Sequence, residues 1–215
     1  MVQSRIGLTA AACGLAALVT LAPTDAYAQF SFGGSASLYD SGVVGFPKKY
    51  SRGQIIVSFG DRRLYYVTQR GRALSYPIAV PRPQSRWSGV LRVSQKRVNP
   101  TWTPTASMRR ENPKLPATVP GGSKYNPLGS RALYLGSTLY RIHGTDAPWT
   151  IGRNVSKGCV RMHNAHVEDL YRRVGVGTRV VATWKKFRTT GAVQTAYSGS
   201  SSGGRRGRWL DSVWN

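Results

Sequence analysis

The 215-residue chain is poor in three things: cysteine, acid and long apolar runs. There are two cysteines in all, Cys13 and Cys159. Asp and Glu number 8 against 31 Lys and Arg, a formal net charge of +23. After residue 21, no apolar run approaches the ~20 residues that span a bilayer. Each shortage excludes something. Two cysteines, one of them inside an N-terminal apolar segment, build no disulfide framework. Scarce carboxylates leave few partners to complete a metal site. Without a second long apolar run, no transmembrane span is expected once the N-terminal segment is removed.

What the chain does have begins with a leader. Arg5 is followed by an uncharged apolar run over residues 6–21, then Pro23 and the small-residue triplet Ala26-Tyr27-Ala28. This three-part layout predicts a secretory signal peptide over residues 1–28, with Gln29 as the new N-terminus. The alternative is an uncleaved N-terminal anchor. A lipid-modified Cys13 would require a leucine near position 10, where Ala10 stands. Export to the periplasm or cell envelope is therefore expected. Arg5 and Asp25 cancel, so the whole positive charge stays with the mature chain. A body this basic accumulates on anionic surfaces. The chain shows no zinc-finger spacing, no heptad-linked basic region and no RNP-type aromatic stretch, so nucleic acid is not the expected partner. Anionic envelope polymers are, unless the charge serves solubility alone.

Composition divides the rest. Residues 29–50 are rich in Gly and Ser and read as a flexible lead-in. A body follows over residues 51–184. Residues 185–215 carry Ser-Gly-Ser-Ser-Ser-Gly-Gly at 198–204 and then Arg205-Arg206-Gly207-Arg208, a composition that buries no core and predicts disorder. Strands are expected over 54–59, 64–68 and 73–80 as a meander, over 132–135 and 138–142 as a hairpin, and over 178–183. Residues 100–120 hold five prolines and should be irregular or extended. Val167, Leu170, Tyr171 and Val174 fall at helical spacing, with Asn164 as candidate cap and Gly175 as stop. The body is thus expected to be mainly β, a sandwich or barrel-like fold, with one short helix after Cys159.

A lone thiol in an exported chain is either an inert buried group or a reagent. Cys159 stands in Ser156-Lys157-Gly158-Cys159-Val160-Arg161-Met162, and His143-Gly144-Thr145-Asp146 lies 16 residues upstream. Glycine beside a nucleophile permits a sharp turn and leaves amide N–H groups for a developing oxyanion. His143 can act as base, and Lys157 and Arg161 favour the thiolate. Arg161 suits a substrate carboxylate, or an ion pair with Glu168 or Asp169. Asp146 orients an imidazole or caps a turn. His163 and His166 make a Cys-x3-His-x2-His pattern with Cys159, a spacing that matches no common zinc signature.

These residues resemble the bacterial L,D-transpeptidase (YkuD-type) catalytic domain. The likeness is carried by Ile142-His143-Gly144-Thr145, by Pro148 with Ile151-Gly152, by Ser156 to Met162 with Asn164, by Asp169-Leu170-Tyr171 and by Gly177-Thr178. It extends to Trp102-Thr103-Pro104-Thr105, Val119-Pro120-Gly121-Gly122 and Asn126-Pro127-Leu128-Gly129. The resemblance implies a cysteine nucleophile at Cys159, a histidine base at His143, and an imidazole oriented by the Gly144 carbonyl. It implies an oxyanion hole at Gly158 and Cys159, and substrate contacts from Arg161 and Ser156. Many members carry histidine where this chain has Lys157. It implies no cofactor and no metal. The implied substrate is a peptidoglycan tetrapeptide stem. The acyl group would pass through a thioester to a second stem, giving a 3-3 cross-link, or to an amine of an envelope protein. Water or a D-amino acid as acceptor would give L,D-carboxypeptidase or exchange activity. A noncatalytic wall-binding module is the other expectation, one that a substituted Cys159 or His143 would have signalled.

Overall fold

Alternation of β-branched and aromatic residues with polar ones dominates residues 54–81, and in the computed structural model these residues form the centre of a sheet. The structure describes residues 41–191 and 193–194. The expected leader over residues 1–28, the first part of the expected lead-in and most of the expected tail lie outside the described residues.

The described strands are β1 (Gly42–Gly45), β2 (Ile55–Ser58), β3 (Arg63–Gln69), β4 (Arg72–Pro77), β5 (Val80–Pro81) and β6 (Gly89–Val98). They continue with β7 (Arg131–Leu135), β8 (Arg141–His143), β9 (Asn154–Ser156), β10 (Val160–Arg161), β11 (Arg179–Thr183) and β12 (Val193–Gln194). Ten of them form one mixed sheet in the order β10-β8-β7-β6-β11-β2-β3-β4-β1-β12, and β5 pairs with β9 separately. The long strand β6 joins the two halves. Its Gly89–Arg92 half pairs with β11, and from Val93 onward it pairs with β7 across a register shift.

The main core lies between these halves. Ile55, Val57, Leu64, Val93, Leu133, Ile142, Val160 and Val180 meet there with Val167 and Leu170 of helix α2 (Asn164–Arg173). The mainly-β expectation and the short helix after Cys159 are both present. A second helix, α1 (Ala106–Glu111), was not expected. It falls within the proline-rich stretch, with Thr105 as its cap accepting from the Met108 amide at 3.3 Å. That stretch is no loose loop. Trp102, Leu115, Val119 and Leu128 bury one another, and the backbones of Trp102 and Val119 exchange hydrogen bonds of 2.9 and 2.8 Å. Buried Asn126 pins this flap. Its amide nitrogen donates to the carbonyls of Pro100 and Pro120 at 2.8 and 3.0 Å, and its oxygen accepts from the Leu128 amide at 2.9 Å.

The folded body is wider than residues 51–184. β1 pairs with β4 inside the expected lead-in. Beyond position 184, the Phe187 ring lies 5.0 Å from Phe46 and 5.8 Å from Tyr65, covering the outer face of the sheet. The Thr190 carbonyl accepts from the Gly45 amide at 2.8 Å. Phe187→Ala is therefore expected to cost about 2 kcal/mol, roughly half the loss for a fully buried phenylalanine. Urea denaturation checks it. No change in midpoint would return residue 187 to a tail.

Candidate functional site

Two features bring the signature residues together. β10 runs parallel to β8, with Val160 opposite Ile142 and Arg161 opposite His143. That register sets Cys159, the residue just before β10, beside the start of β8. The expected 132–142 hairpin is looser than a two-residue turn: residues 138–140 leave the ladder before β8 begins. Cys159, His143, Arg141 and Leu139 line one cleft of about 200 Å³, walled on the far side by Trp102 and Met108 of the flap.

His143 is buried, and its Nδ1 lies 2.6 Å from the Gly144 carbonyl oxygen. A carbonyl only accepts, so Nδ1 carries the proton and Nε2 keeps its lone pair. Burial, reinforced by the positive charge of Arg161 and Arg141, pulls the imidazole pKa down to about 3 against the favourable Gly144 contact. The ring is neutral at any physiological pH.

Cys159 is half-buried. Its thiol donates to the Leu139 carbonyl at 3.6 Å. Desolvation of the sulfur raises the thiol pKa, while Arg141 and then Arg161 oppose that rise. The resting pair is accordingly a neutral thiol and a neutral imidazole carrying a free lone pair. Such a pair can transfer a proton as a nucleophile attacks.

The turn that carries the sulfur is held from several sides. Gly158 has φ 122, a conformation glycine alone adopts freely, and a Cβ there would lie within 2.5 Å of the Tyr140 ring. Tyr140 stacks on Trp87 at 4.4 Å, and Trp87 Nε1 donates to the Gly158 carbonyl at 2.8 Å. In a trans peptide, the Cys159 N–H then points away from Trp87. Ser156 Oγ closes the turn by donating to the Cys159 carbonyl at 2.6 Å.

The sequence profile of the YkuD family, the L,D-transpeptidase catalytic domain, matches residues 52–181. The chain belongs to this family. The L,D-transpeptidase domain is 41% identical over 133 residues to the probable L,D-transpeptidase YbiS of Escherichia coli strain K12, covering 59% of this chain and 43% of that protein. It is 36% identical over 143 residues to the putative L,D-transpeptidase YkuD of Bacillus subtilis strain 168, covering 64% of this chain and 71% of that protein. An L,D-transpeptidase from Mycobacterium smegmatis overlays at a TM-score of 0.47 and 18% identity, over 60% of this chain and 58% of that one. The match spans less than half the length of the E. coli relative.

Within the L,D-transpeptidase domain, several signature residues stand elsewhere than expected. Ser156 and Arg161, expected as substrate contacts, are fully buried and are not among the residues that line the cleft. Arg161 instead lies behind the site. Its Nη1 donates to Thr150 Oγ1 at 2.6 Å, the Asp146 carboxylate supports its charge, and burial pulls its pKa to about 10. Asp146 thus serves the guanidinium rather than the imidazole. Glu168 and Asp169 are not its partners; Asp169 pairs with Arg173 at 2.9 Å and with Arg172 at 3.5 Å. Lys157 does not act on the thiol. It reaches across to the flap and pairs with Glu111. Asn164 does not cap α2, whose cap position is His163. Its side chain bridges loops instead, accepting from the Ser130 and Thr145 amides at 3.1 Å each and donating to the Thr145 carbonyl at 3.0 Å. Its amide packs so closely on Gly144 that any Cβ there would collide with it. His163 and His166 meet edge to face at 5.2 Å, with His166 against Tyr76. Among the described residues, no three His, Cys, Asp or Glu side chains gather as metal ligands would. Arg141, Tyr140, Trp87 and Asn126 are the parts that sequence reasoning missed. Only Asn126 left a signal, in the quoted Asn126-Pro127-Leu128-Gly129 segment.

Proposed function

We propose that the protein is an L,D-transpeptidase that acylates Cys159 with a peptidoglycan tetrapeptide stem. The observation that carries this is Cys159 and His143 lining one cleft, with the imidazole neutral and its Nδ1 proton engaged by the Gly144 carbonyl behind it. His143 Nε2 takes the thiol proton as sulfur attacks the carbonyl carbon after the third stem residue. The amides of Gly158 and Cys159 receive the oxyanion. The C–N bond to the terminal D-residue breaks, and His143 returns the proton to that amine. An acceptor amine then attacks the thioester and releases the thiol. A second stem as acceptor gives a 3-3 cross-link. A protein amine tethers an envelope protein, and water or a D-amino acid trims or exchanges the stem. Arg161, paired behind the cysteine, adds positive potential, while Ser156 and the Trp87–Tyr140 stack hold the turn.

The site of action we propose is the periplasm or envelope, supported by the signal-peptide-like sequence pattern over residues 1–28 and the net charge of +23, which favours retention on anionic wall polymer. No helix among the described residues is long and apolar enough to cross a membrane. Incubating the purified protein with tetrapeptide wall fragments, then mass spectrometry, tests the proposal. Loss of the terminal residue with a protein-bound acyl group and a new amide is expected. Intact stems after prolonged incubation would overturn it.

The neutral resting pair has a pH signature. A thiol raised by burial yields little thiolate near pH 7, and an imidazole pulled to about 3 stays neutral well below that. Alkylation of Cys159 by iodoacetamide should therefore climb with pH through about 8.5 and beyond, the range of an ordinary or raised thiol. A rate that levels off by about pH 6 would indicate a thiolate–imidazolium pair instead.

A further inference from the structure

Arg141 stands two residues before His143 on β8 and opens onto the same cleft as Cys159. Its Nη1 donates to the Leu139 carbonyl at 3.1 Å, the same carbonyl that accepts from the Cys159 thiol. One acceptor therefore sets guanidinium and sulfur side by side. The Tyr134 ring lies 4.9 Å from the guanidinium carbon and steadies its plane. Among the described residues, Nε has no hydrogen-bond partner, while the side chain as a whole also supports the Cys159 sulfur. The cleft wall carries two cations, Arg141 and Lys157, and no carboxylate. Lys157 is already paired with Glu111, and Arg161 is buried out of reach. An anion entering the cleft meets Arg141.

We infer that Arg141 forms a carboxylate-binding subsite beside the nucleophile, where its planar fork of N–H donors takes a free carboxylate of the incoming peptide. This rests on the proposed acyl-transfer function. A tetrapeptide stem offers that group from two places close to the reacting carbonyl: the terminal carboxylate of the leaving residue, and the side-chain carboxylate of a diaminopimelate-type third residue. Either carries the charge and the two-point acceptor geometry that a guanidinium reads and an ammonium does not. Binding also places the anion over the cation that most supports the thiolate, so substrate and sulfur share one counter-charge.

Calorimetric titration of full-length Cys159→Ala tests this with three synthetic stems: the free acid, its terminal amide and its third-residue side-chain amide. One amide should bind about tenfold more weakly than the acid, the scale of a charge-assisted contact. Adding Arg141→Ala should weaken the free acid by the same factor and leave that amide unchanged. Arg141→Lys should recover only part of the loss. Which amide is affected identifies the carboxylate. Equal binding of acid and both amides, or an equal loss for all three in the Arg141→Ala protein, overturns the subsite alone. If no stem binds any variant and wild type turns none over, the substrate proposal fails, and the subsite with it. A thermal melt of each variant confirms folding, and Arg141→Met serves if Arg141→Ala melts early.

Discussion

Cys159→Ala is expected to abolish stem turnover, a drop of at least about 10⁴-fold, while leaving the protein folded. The one other cysteine, Cys13, lies in the N-terminal apolar segment far from the Ser156–Met162 motif in sequence. The structural loss is small. The residue is half-buried and its thiol contact with the Leu139 carbonyl, at 3.6 Å, is weak beside the backbone bonds that hold the turn. Alanine keeps the backbone donors that surround it. Mass spectrometry should show neither released terminal residue nor acylated protein, and urea denaturation should give a midpoint near that of wild type. A folded Cys159→Ala protein turning over stems within tenfold of wild type would end the thioester mechanism.

His143→Ala should slow acylation by about 100-fold or more, the usual scale of a positioned general base. The thiol pKa is raised rather than lowered, so no preformed thiolate compensates for the missing base. The loss should be largest near neutral pH and should shrink as the medium rises through about 8.5, where hydroxide generates thiolate directly. His143 is buried, so deletion also opens a hole under β8, and His143→Gln provides the volume-matched control. Both variants should show the same pH-dependent loss if proton transfer is what was removed. A pH-independent loss in Ala that Gln restores would make His143 a packing residue. His163→Ala and His166→Ala should be mild in the same assay, because neither ring lines the cleft.

Local chemistry made much of the fold legible. β2, β3, β7 and β11 lie within a residue or two of the stretches their β-branched and aromatic residues predict, and β4 begins one residue early and ends three residues short of its stretch, because apolar runs bounded by turn residues mark strands whether one face is buried or, as in β2, both. Helix α2 was visible for the corresponding reason at period 3.6. β6 was missed. Its Arg, Lys, Gln and Ser side chains are exposed on most positions and only Val93 is buried, so it carries no alternation. Its ladder comes from the two partners on either side. The proline-rich flap was read as irregular because prolines forbid long elements. Its order comes from Asn126 and a small cluster contributed by four separated residues, which no local window contains.

The sequence by itself determined the chemical inventory: a single thiol beyond position 13, a histidine followed by a glycine, and a glycine before the cysteine. Those are properties of residue type and spacing. Tertiary structure alone decided which charges act on the sulfur. Arg161, two residues from Cys159, is buried against Thr150 and acts on the sulfur less than Arg141, which is 18 residues away in sequence and arrives beside the thiol through the parallel β8–β10 pairing. Lys157 is drawn to the flap because Glu111 is there to neutralise it. Electrostatic influence depends on distance and burial, and sequence separation measures neither.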